Sequence, residues 1–391
     1  MKKILLFPLL LCLWGQALAQ TDSTRYPNVS IGTLVHLVGV GLQDRPSAAQ
    51  EAAPGYSPDW QTSFNVYRAR ILLGVAISPK TNFFMETEIP QIIGRPDATG
   101  QRLTQIRPII LDAQVEHRFS EALQLIAGLQ LVGITRNQLQ GAASLLALDF
   151  GYFQYLYSLF DDQPLQNNFG RDIGINLRGF VANQRLEYRL GIFNGRHLDD
   201  QSQLRYIARL NYNFWEREKG QYYTGTSLGQ NRYLALGLGA DIQASYHALG
   251  GDLFLDMPLG EQSALTLQGA FTYMSGGEGA FAALIPRQTV QFVELGYYLR
   301  PLHLMPYLKY ENQRIDALPQ QNTSVLPLPD FNTLQSNQRA GIGLGYFFEG
   351  YRANLKASYE AVRYGRNQIS EQSAESKTIG EVWLQLQFFF F

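Results

Sequence analysis

Along most of the chain, apolar residues alternate with polar or small ones. Leu234, Leu236, Leu238, Ala240 and Ile242 are interleaved with Tyr233, Ala235, Gly237, Gly239 and Asp241. Leu204, Tyr206, Ala208, Leu210, Tyr212 and Phe214 are interleaved with Arg205, Ile207, Arg209, Asn211 and Asn213. Residues two apart in an extended chain share a face, so each segment is a strand with one apolar and one polar side. The pattern predicts strands at 29–39, 64–77, 82–91, 108–119, 122–132, 171–181, 185–193, 204–214, 232–245, 250–257, 263–274, 289–299, 304–314, 337–348, 350–362 and 377–390. Most have the ~9–11 residues that a tilted strand needs to cross a bilayer. Globular strands are usually about 5–6 residues long.

A soluble antiparallel sandwich would alternate in the same way; the connections separate the two. Short turns at 78–81, 120–121, 182–184, 258–261, 300–303 and 349–350 take turns with longer loops at 40–63, 92–107, 133–170, 194–203, 275–288, 315–336 and 363–376. Outer-membrane barrels have this asymmetry, with short periplasmic turns and long external loops. The expected fold is therefore all-β, a transmembrane antiparallel up-and-down β-barrel of about 16 strands. One connection breaks the rhythm. Residues 215–231 form a long polar stretch where a short turn is due, and a very short connection near 246–249 follows it. A missed hairpin there would make the count about 18.

Charge offers a check, because a lipid-facing charge at mid-membrane costs about 2–4 kcal/mol and should turn to the lumen instead. Strict alternation over 64–77 points Tyr67, Ala69, Ile71 and Leu73 outward and Phe64, Val66, Arg68 and Arg70 inward. Over 108–119 it points Leu111, Ala113 and Val115 outward and Asp112, Gln114, Glu116 and Arg118 inward. Arg178, Arg185, Arg189, Arg205 and Arg209 face inward against Asp172 and Glu187, with Asp241, Asp252 and Asp256 on the next two strands. The interior is thus ionic, as a water-filled pore requires. Arg68, Arg70, Arg118, Arg178, Arg189, Arg205 and Arg209 are the candidate pore-lining cations. Two readings stay open: rings of arginine that select anions, or arginines paired with carboxylates to hold the wall.

The third long loop, 133–170, carries Leu145, Leu146, Leu148, Phe150, Tyr152, Phe153, Tyr155, Leu156 and Phe160, too apolar for water. It is expected to fold into the barrel as a constriction, partly helical over 144–160. Asp149, Asp161 and Asp162 would then oppose the arginine wall. The alternative is burial against a neighbouring subunit.

At the N-terminus, Lys2 and Lys3 precede an apolar run from Ile4 to Trp14 and the small-x-small triplet Ala17-Leu18-Ala19. These are the parts of a secretion signal, so residues 1–19 are expected to be removed, leaving 20–391 as the barrel. The single cysteine, Cys12, lies in that signal and follows three leucines, unlike a lipid-attachment cysteine. Disulfides and thiolate metal sites are then excluded from the mature chain. Lys+Arg 32 against Asp+Glu 33 shows no basic excess for nucleic acid. The five histidines have no serine at a suggestive spacing, and no phosphate-loop, zincin or EF-hand run occurs. No catalytic, cofactor or metal site is expected. The C-terminal Phe388 to Phe391 is similar to the terminal signal of outer-membrane barrels, with Phe391 one residue out of phase, on the face of Trp383, Gln385 and Gln387.

Several segments resemble the phosphate-selective porin O and P family. They are Phe64-Asn65-Val66-Tyr67-Arg68-Ala69-Arg70-Ile71, then Leu111-Asp112-Ala113-Gln114-Val115 with Ile126-Ala127-Gly128-Leu129, and above all Arg171-Asp172-Ile173-Gly174-Ile175 through to Phe193-Asn194-Gly195. The matches span 64–214. The resemblance implies a sixteen-stranded diffusion channel of the Gram-negative outer membrane, commonly a homotrimer, with an inward third loop and Arg68 and Arg70 at its constriction. Phosphate selectivity is not implied, since Lys309 and Lys356 are the obvious inward lysines. The expected partners are the lipid bilayer and small hydrophilic solutes or anions, with a weak anion preference. A substrate-specific uptake channel is the nearer alternative, and an outer-membrane enzyme or structural barrel the further ones. Intact mass of the exported protein should place its first residue at Gln20.

Overall fold

The computed structural model describes residues 26–43, 57–89, 108–151, 170–195, 203–276, 287–317, 336–365 and 378–391. The expected leader 1–19 lies outside them. The strands are β1 (Asn28–Gln43), β2 (Trp60–Ser78), β3 (Thr81–Glu88), β4 (Ile109–Ser120), β5 (Leu123–Leu131), β6 (Arg171–Val181), β7 (Leu186–Phe193), β8 (Arg205–Asn213), β9 (Tyr233–Gln243), β10 (Tyr246–Leu259), β11 (Ser263–Ser275), β12 (Arg287–Leu299), β13 (Leu304–Ala317), β14 (Asn337–Tyr346), β15 (Ala353–Tyr364) and β16 (Ile379–Phe390). Each pairs antiparallel with its sequence neighbours, and β1 pairs with β16 to close the barrel. Closure leaves no sheet edge with unpaired backbone groups, which an apolar medium would punish.

The parity of the connections holds, and no further hairpin is needed. Residues 214–232 leave β8 at the short-turn end, where the Asn213 N–H donates to the carbonyl of Arg185 in the β6–β7 turn (2.8 Å). At the opposite end, Ala244 and Ser245 alone join β9 to β10, with Ala244 left-handed at φ 54°.

The barrel is the inverse of a soluble core. Leu210, Leu236, Leu238, Leu308, Ile342 and Leu344 are exposed on its outer wall. Arg178, Arg209, Asp241, Asp256 and Lys356 are buried inside. Buried charge within an exposed apolar belt is what a wall facing hydrocarbon requires.

Two bulges overturn part of the strict alternation. Between β1 and β2 the register slips after His36, which pairs with Arg68, whereas Leu37 pairs with Val66. Tyr67 is the extra residue. It turns into the lumen, where its hydroxyl donates to Asp149 (2.6 Å). Beyond it Val66 and Phe64 face outward, Phe64 with 89% of its surface exposed, against the expected inward placement. Arg68 and Arg70, on the near side of the slip, keep their inward direction. The second bulge lies between β3 and β4, where Glu86 pairs with Asp112 and Thr87 with Ile110. Leu111 is the extra residue there, and it is 1% exposed rather than lipid-facing. A bulge adds one residue to one strand and flips the faces beyond it, which a period-two count cannot register. Arg185 also departs from expectation: it lies in the exposed β6–β7 turn, not in the wall.

The lumen holds its own apolar core. Leu146 and Ala147 from the β5–β6 connection pack with Leu228 from the β8–β9 connection and with Ala264, Tyr298, Met305, Tyr307 and Phe347 of the wall and rim. Near the short-turn rim the Phe391 ring lies edge-on to Phe84, with centroids 5.9 Å apart. It sits close to Gly32 and Gly74, where an added Cβ would come within 2.6 and 3.0 Å of the ring. Phe391 is therefore on the lumen side, the phase the sequence indicates.

Leu238 is the middle residue of β9 and is 69% exposed. Leu238→Arg should lower unfolding stability in liposomes by about 2–4 kcal/mol, and Ile242→Arg near the strand end by about 0–1. Denaturant titration followed by heat-modifiable gel migration checks both values.

Candidate pore constriction

Two connections enter the lumen from opposite ends and join there. The β5–β6 connection, described over 132–151, comes from the long-loop end, and 214–232 comes from the short-turn end. Gln140 and Tyr223 form a parallel backbone bridge. Tyr223 N–H donates to Leu139 O (2.9 Å), Gly141 N–H to Tyr223 O (3.0 Å) and Gly225 N–H to Ser144 O (2.9 Å).

The β5–β6 connection makes two short 3-10 turns, Asn137–Leu139 and Ala142–Ser144. Over residues 144–151 it contains no α-helix; the rest of the expected partly helical stretch, 152–160, lies outside the described residues. The wall claims its carbonyls instead. The Lys356 Nζ donates to Leu145 O (2.6 Å) and Ala147 O (2.8 Å), and the Lys309 Nζ to Phe150 O (2.7 Å). Gln385 donates to Leu148 O (3.2 Å) and Gln387 to Ala143 O (2.9 Å). Wall donors thus satisfy carbonyls that no helical turn satisfies here.

The wall arginines are paired. Arg70 contacts Glu86 (2.8 Å) and Glu88 (2.5 Å). Arg178 and Arg189 share Glu187, at 2.7 and 2.9 Å. Arg205 meets Asp241 (2.6 Å) and Asp172 (3.3 Å). Arg209 grips Asp252 through two nitrogens, at 2.6 and 3.0 Å. Taking a charge out of water costs several kcal/mol, and a partner at this distance is what makes the burial tolerable. Structural pairing, one of the two open readings, thus holds for these arginines.

Arg68 differs in position. It pairs with Asp149 of the inward connection (2.8 Å), and its guanidinium lies over the rings of Tyr67 (4.7 Å) and Phe150 (5.0 Å). The pair keeps some contact with solvent, with side chains 12% and 25% exposed. Burial alone would raise the Asp149 carboxyl, but the Arg68 charge and the Tyr67 hydroxyl bring it below the usual carboxylate range. Arg118 is not at this level: its side chain is 45% exposed at the short-turn rim, beside Glu116 and Glu121. Asp161 and Asp162 lie outside the described residues.

Sequence reasoning missed Arg136 and Tyr223. The Arg136 guanidinium stacks over Phe254 (3.4 Å) and Tyr223 (4.7 Å) and pairs with Glu218. Tyr223 donates to Glu187 (2.8 Å). Both residues sit in connections, where no periodicity assigns a face. The Tyr222-Tyr223 pair inside an otherwise polar stretch was the available signal.

No family model matches the chain, and no curated protein matches its sequence. Solved structures do match in fold. The outer membrane channel DcaP of Acinetobacter baumannii superposes with a TM-score of 0.56 at 12% identity, over 93% of this chain and 97% of that one. OprB of Pseudomonas putida gives 0.56 at 10% identity over 93% and 94%. An anion-selective porin from Comamonas acidovorans gives 0.51 at 12% over 93% and 99%. The chain has the fold of outer-membrane porins. The finer kinship with the phosphate-selective porin O and P family rests on the short motifs alone.

Asp252→Ala would leave the buried Arg209 guanidinium without its carboxylate and should cost about 3–5 kcal/mol of stability. Glu116→Ala beside the exposed Arg118 should cost about 0–1. Equilibrium unfolding of the two variants in one detergent or lipid compares them directly.

Proposed function

We propose that this chain is an outer-membrane porin, a passive channel for small hydrophilic solutes and ions with a weak preference for anions. The observation that carries the reading is the inversion of the barrel: an apolar outer wall around an ionic lumen, narrowed by an inward connection that faces Arg68 with Asp149. The fold shared with known channels supports it. The narrowest passage in this reading runs past the Arg68–Asp149 pair, whose side chains keep contact with solvent. One cation opposed by one anion gives a small net field, hence the weak selectivity. The leader and the fold together support export to the Gram-negative outer membrane. Assembly as a homotrimer follows the family resemblance. No catalysis is part of the reading.

A substrate-specific uptake channel is the second reading. It is favoured by the meeting of the two inward connections across the lumen.

Planar-bilayer recording tests both. Stable single-channel steps are expected, with Arg68→Ala lowering the anion-to-cation permeability ratio and Asp149→Asn raising it. The change should be about fivefold, the factor equivalent to ~1 kcal/mol for a unit charge at 4 Å in water. Absence of any conductance sinks the porin reading, and unchanged reversal potentials in both variants remove Arg68 and Asp149 from the constriction. A solute that blocks the steps at micromolar concentration would favour the second reading.

A further inference from the structure

The tip of the β8–β9 connection is held in the lumen by arginines that grip its oxygen atoms. Arg178 donates to Lys219 O (3.2 Å) and Gly220 O (2.8 Å). Arg189 donates to Gln221 O (2.9 Å) and Arg136 to Thr224 O (2.8 Å). Arg136 also pairs with the Glu218 carboxylate. Tyr223 lies in the middle, with the guanidinium carbons of Arg136, Arg189 and Arg209 at 4.7, 4.8 and 5.4 Å from its ring. One carboxylate, a row of neutral carbonyls and an aromatic face therefore occupy a site where four arginines outnumber the two wall carboxylates, Glu187 and Asp252, that pair with three of them.

We propose that residues 218–224 are a built-in occupant of an arginine site for small carboxylate-bearing solutes, and that such a solute displaces them toward the short-turn rim and widens the pore. This rests on the porin reading and adds a ligand class and a gate to it.

The chemistry of the occupant indicates the class. Glu218 supplies the carboxylate that Arg136 meets, and the peptide carbonyls supply the remaining acceptors. A carboxylate adds to the hydrogen bond an opposite full charge that a carbonyl lacks, so carbonyls are replaceable partners here. The occupancy is also incomplete. The Nε atoms of Arg136 and Arg209 and the Oδ1 of Asn176 are buried without a hydrogen-bond partner among the described residues. A cavity of about 10 Å³, enough for one water, lies beside Asn176 and is lined in part by Arg189 and Leu139.

The segment is also built to move at its tip and stay at its base. Its base is fastened to the rim and wall: Thr226 Oγ1 meets Thr266 Oγ1 (2.9 Å), Ser227 N–H donates to Asp256, and Arg300 donates to Gly229 O (2.5 Å). The tip belongs to no sheet, and its regular backbone pairing is the single bridge to Gln140. Withdrawal of the tip breaks that bridge, the arginine contacts, the Gln221–Gln114 amide pair (2.8 Å) and the Tyr223–Glu187 bond (2.8 Å), and leaves every barrel ladder intact.

A cysteine pair tests this. An added Cβ on Gly141 would lie 3.6 Å from the Tyr222 Cβ, within the range of a disulfide, and Gly141 has ordinary extended backbone at φ −82°. In Gly141→Cys/Tyr222→Cys, oxidation should lock the two connections together and reduction should free them. The single variant Tyr222→Cys gives a readout that needs no current, the rate of labelling by a membrane-impermeant maleimide. N-acetylglutamate, which carries a carboxylate and an amide carbonyl, is the probe, with chloride at equal ionic strength as control. Labelling should accelerate about tenfold at a probe concentration about ten times its Kd. The probe should enlarge the conductance of the reduced double variant but not of the oxidised one. Arg178→Gln, with its barrel checked by heat-modifiable migration, should speed labelling without any probe. Labelling indifferent to the probe in a channel that conducts overturns the inference and leaves the porin reading standing. Labelling that responds in a barrel that never conducts sinks the porin reading and leaves the arginine site.

Discussion

The structure depends on finding a partner for every charge that the barrel turns inward. The outer wall must be apolar, so the alternation of each strand sends its ionic residues to the lumen. That lumen is not simply water. The β5–β6 and β8–β9 connections meet inside it, and they bring Leu146, Ala147 and Leu228 into an apolar cluster with Tyr298, Met305, Tyr307 and Phe347. The wall arginines Arg70, Arg178, Arg205 and Arg209 are buried as well. They are tolerated because Glu86, Glu187, Asp241 and Asp252 face them at hydrogen-bonding distance.

The partners fall into two kinds with different consequences. Arg70, Arg205 and Arg209 pair with carboxylates of the barrel itself, across neighbouring or near-neighbouring strands. Those pairs are fastened to the ladder and change only if the barrel does. Arg136 and, in part, Arg178 and Arg189 take oxygens from a connection that belongs to no sheet. Lys309 and Lys356 do the same for the β5–β6 connection. The fixed wall supplies donors and the irregular segments supply carbonyls, so the lumen is finished by backbone that secondary structure has left unpaired.

This division explains what could be read from the sequence. The strands, their count and the parity of connections were legible, because period-two patterning and loop length are local properties. The inward direction of Arg68, Arg70, Arg178, Arg189, Arg205 and Arg209 followed from the same pattern. Tyr67 and Leu111 did not, because each is the extra residue of a bulge and its direction depends on a partner strand's register. Arg136 and Tyr223 were invisible for a stronger reason: neither lies in a periodic element, and their positions are set by contacts across the lumen. The long 215–231 stretch looked like a break in the rhythm. It is long because it reaches into the barrel to meet Leu139, Gly141 and Ser144.

In the proposed channel, two needs conflict at this point. Buried charges favour complete pairing, yet ions and polar solutes pass most readily where some charge stays solvated and weakly matched. The two kinds of partner resolve the conflict by position. Carboxylate pairs on adjacent strands keep Arg70, Arg205 and Arg209 buried as part of the wall. Arg68 instead meets Asp149 on a connection, with solvent still in reach. Around Tyr223, four arginines outnumber the wall carboxylates Glu187 and Asp252, and the connection's Glu218 and carbonyls supply the remaining acceptors. The least committed charges of the barrel are therefore those opposite its irregular segments, and that is where passage and selection can be tuned without disturbing the sheet.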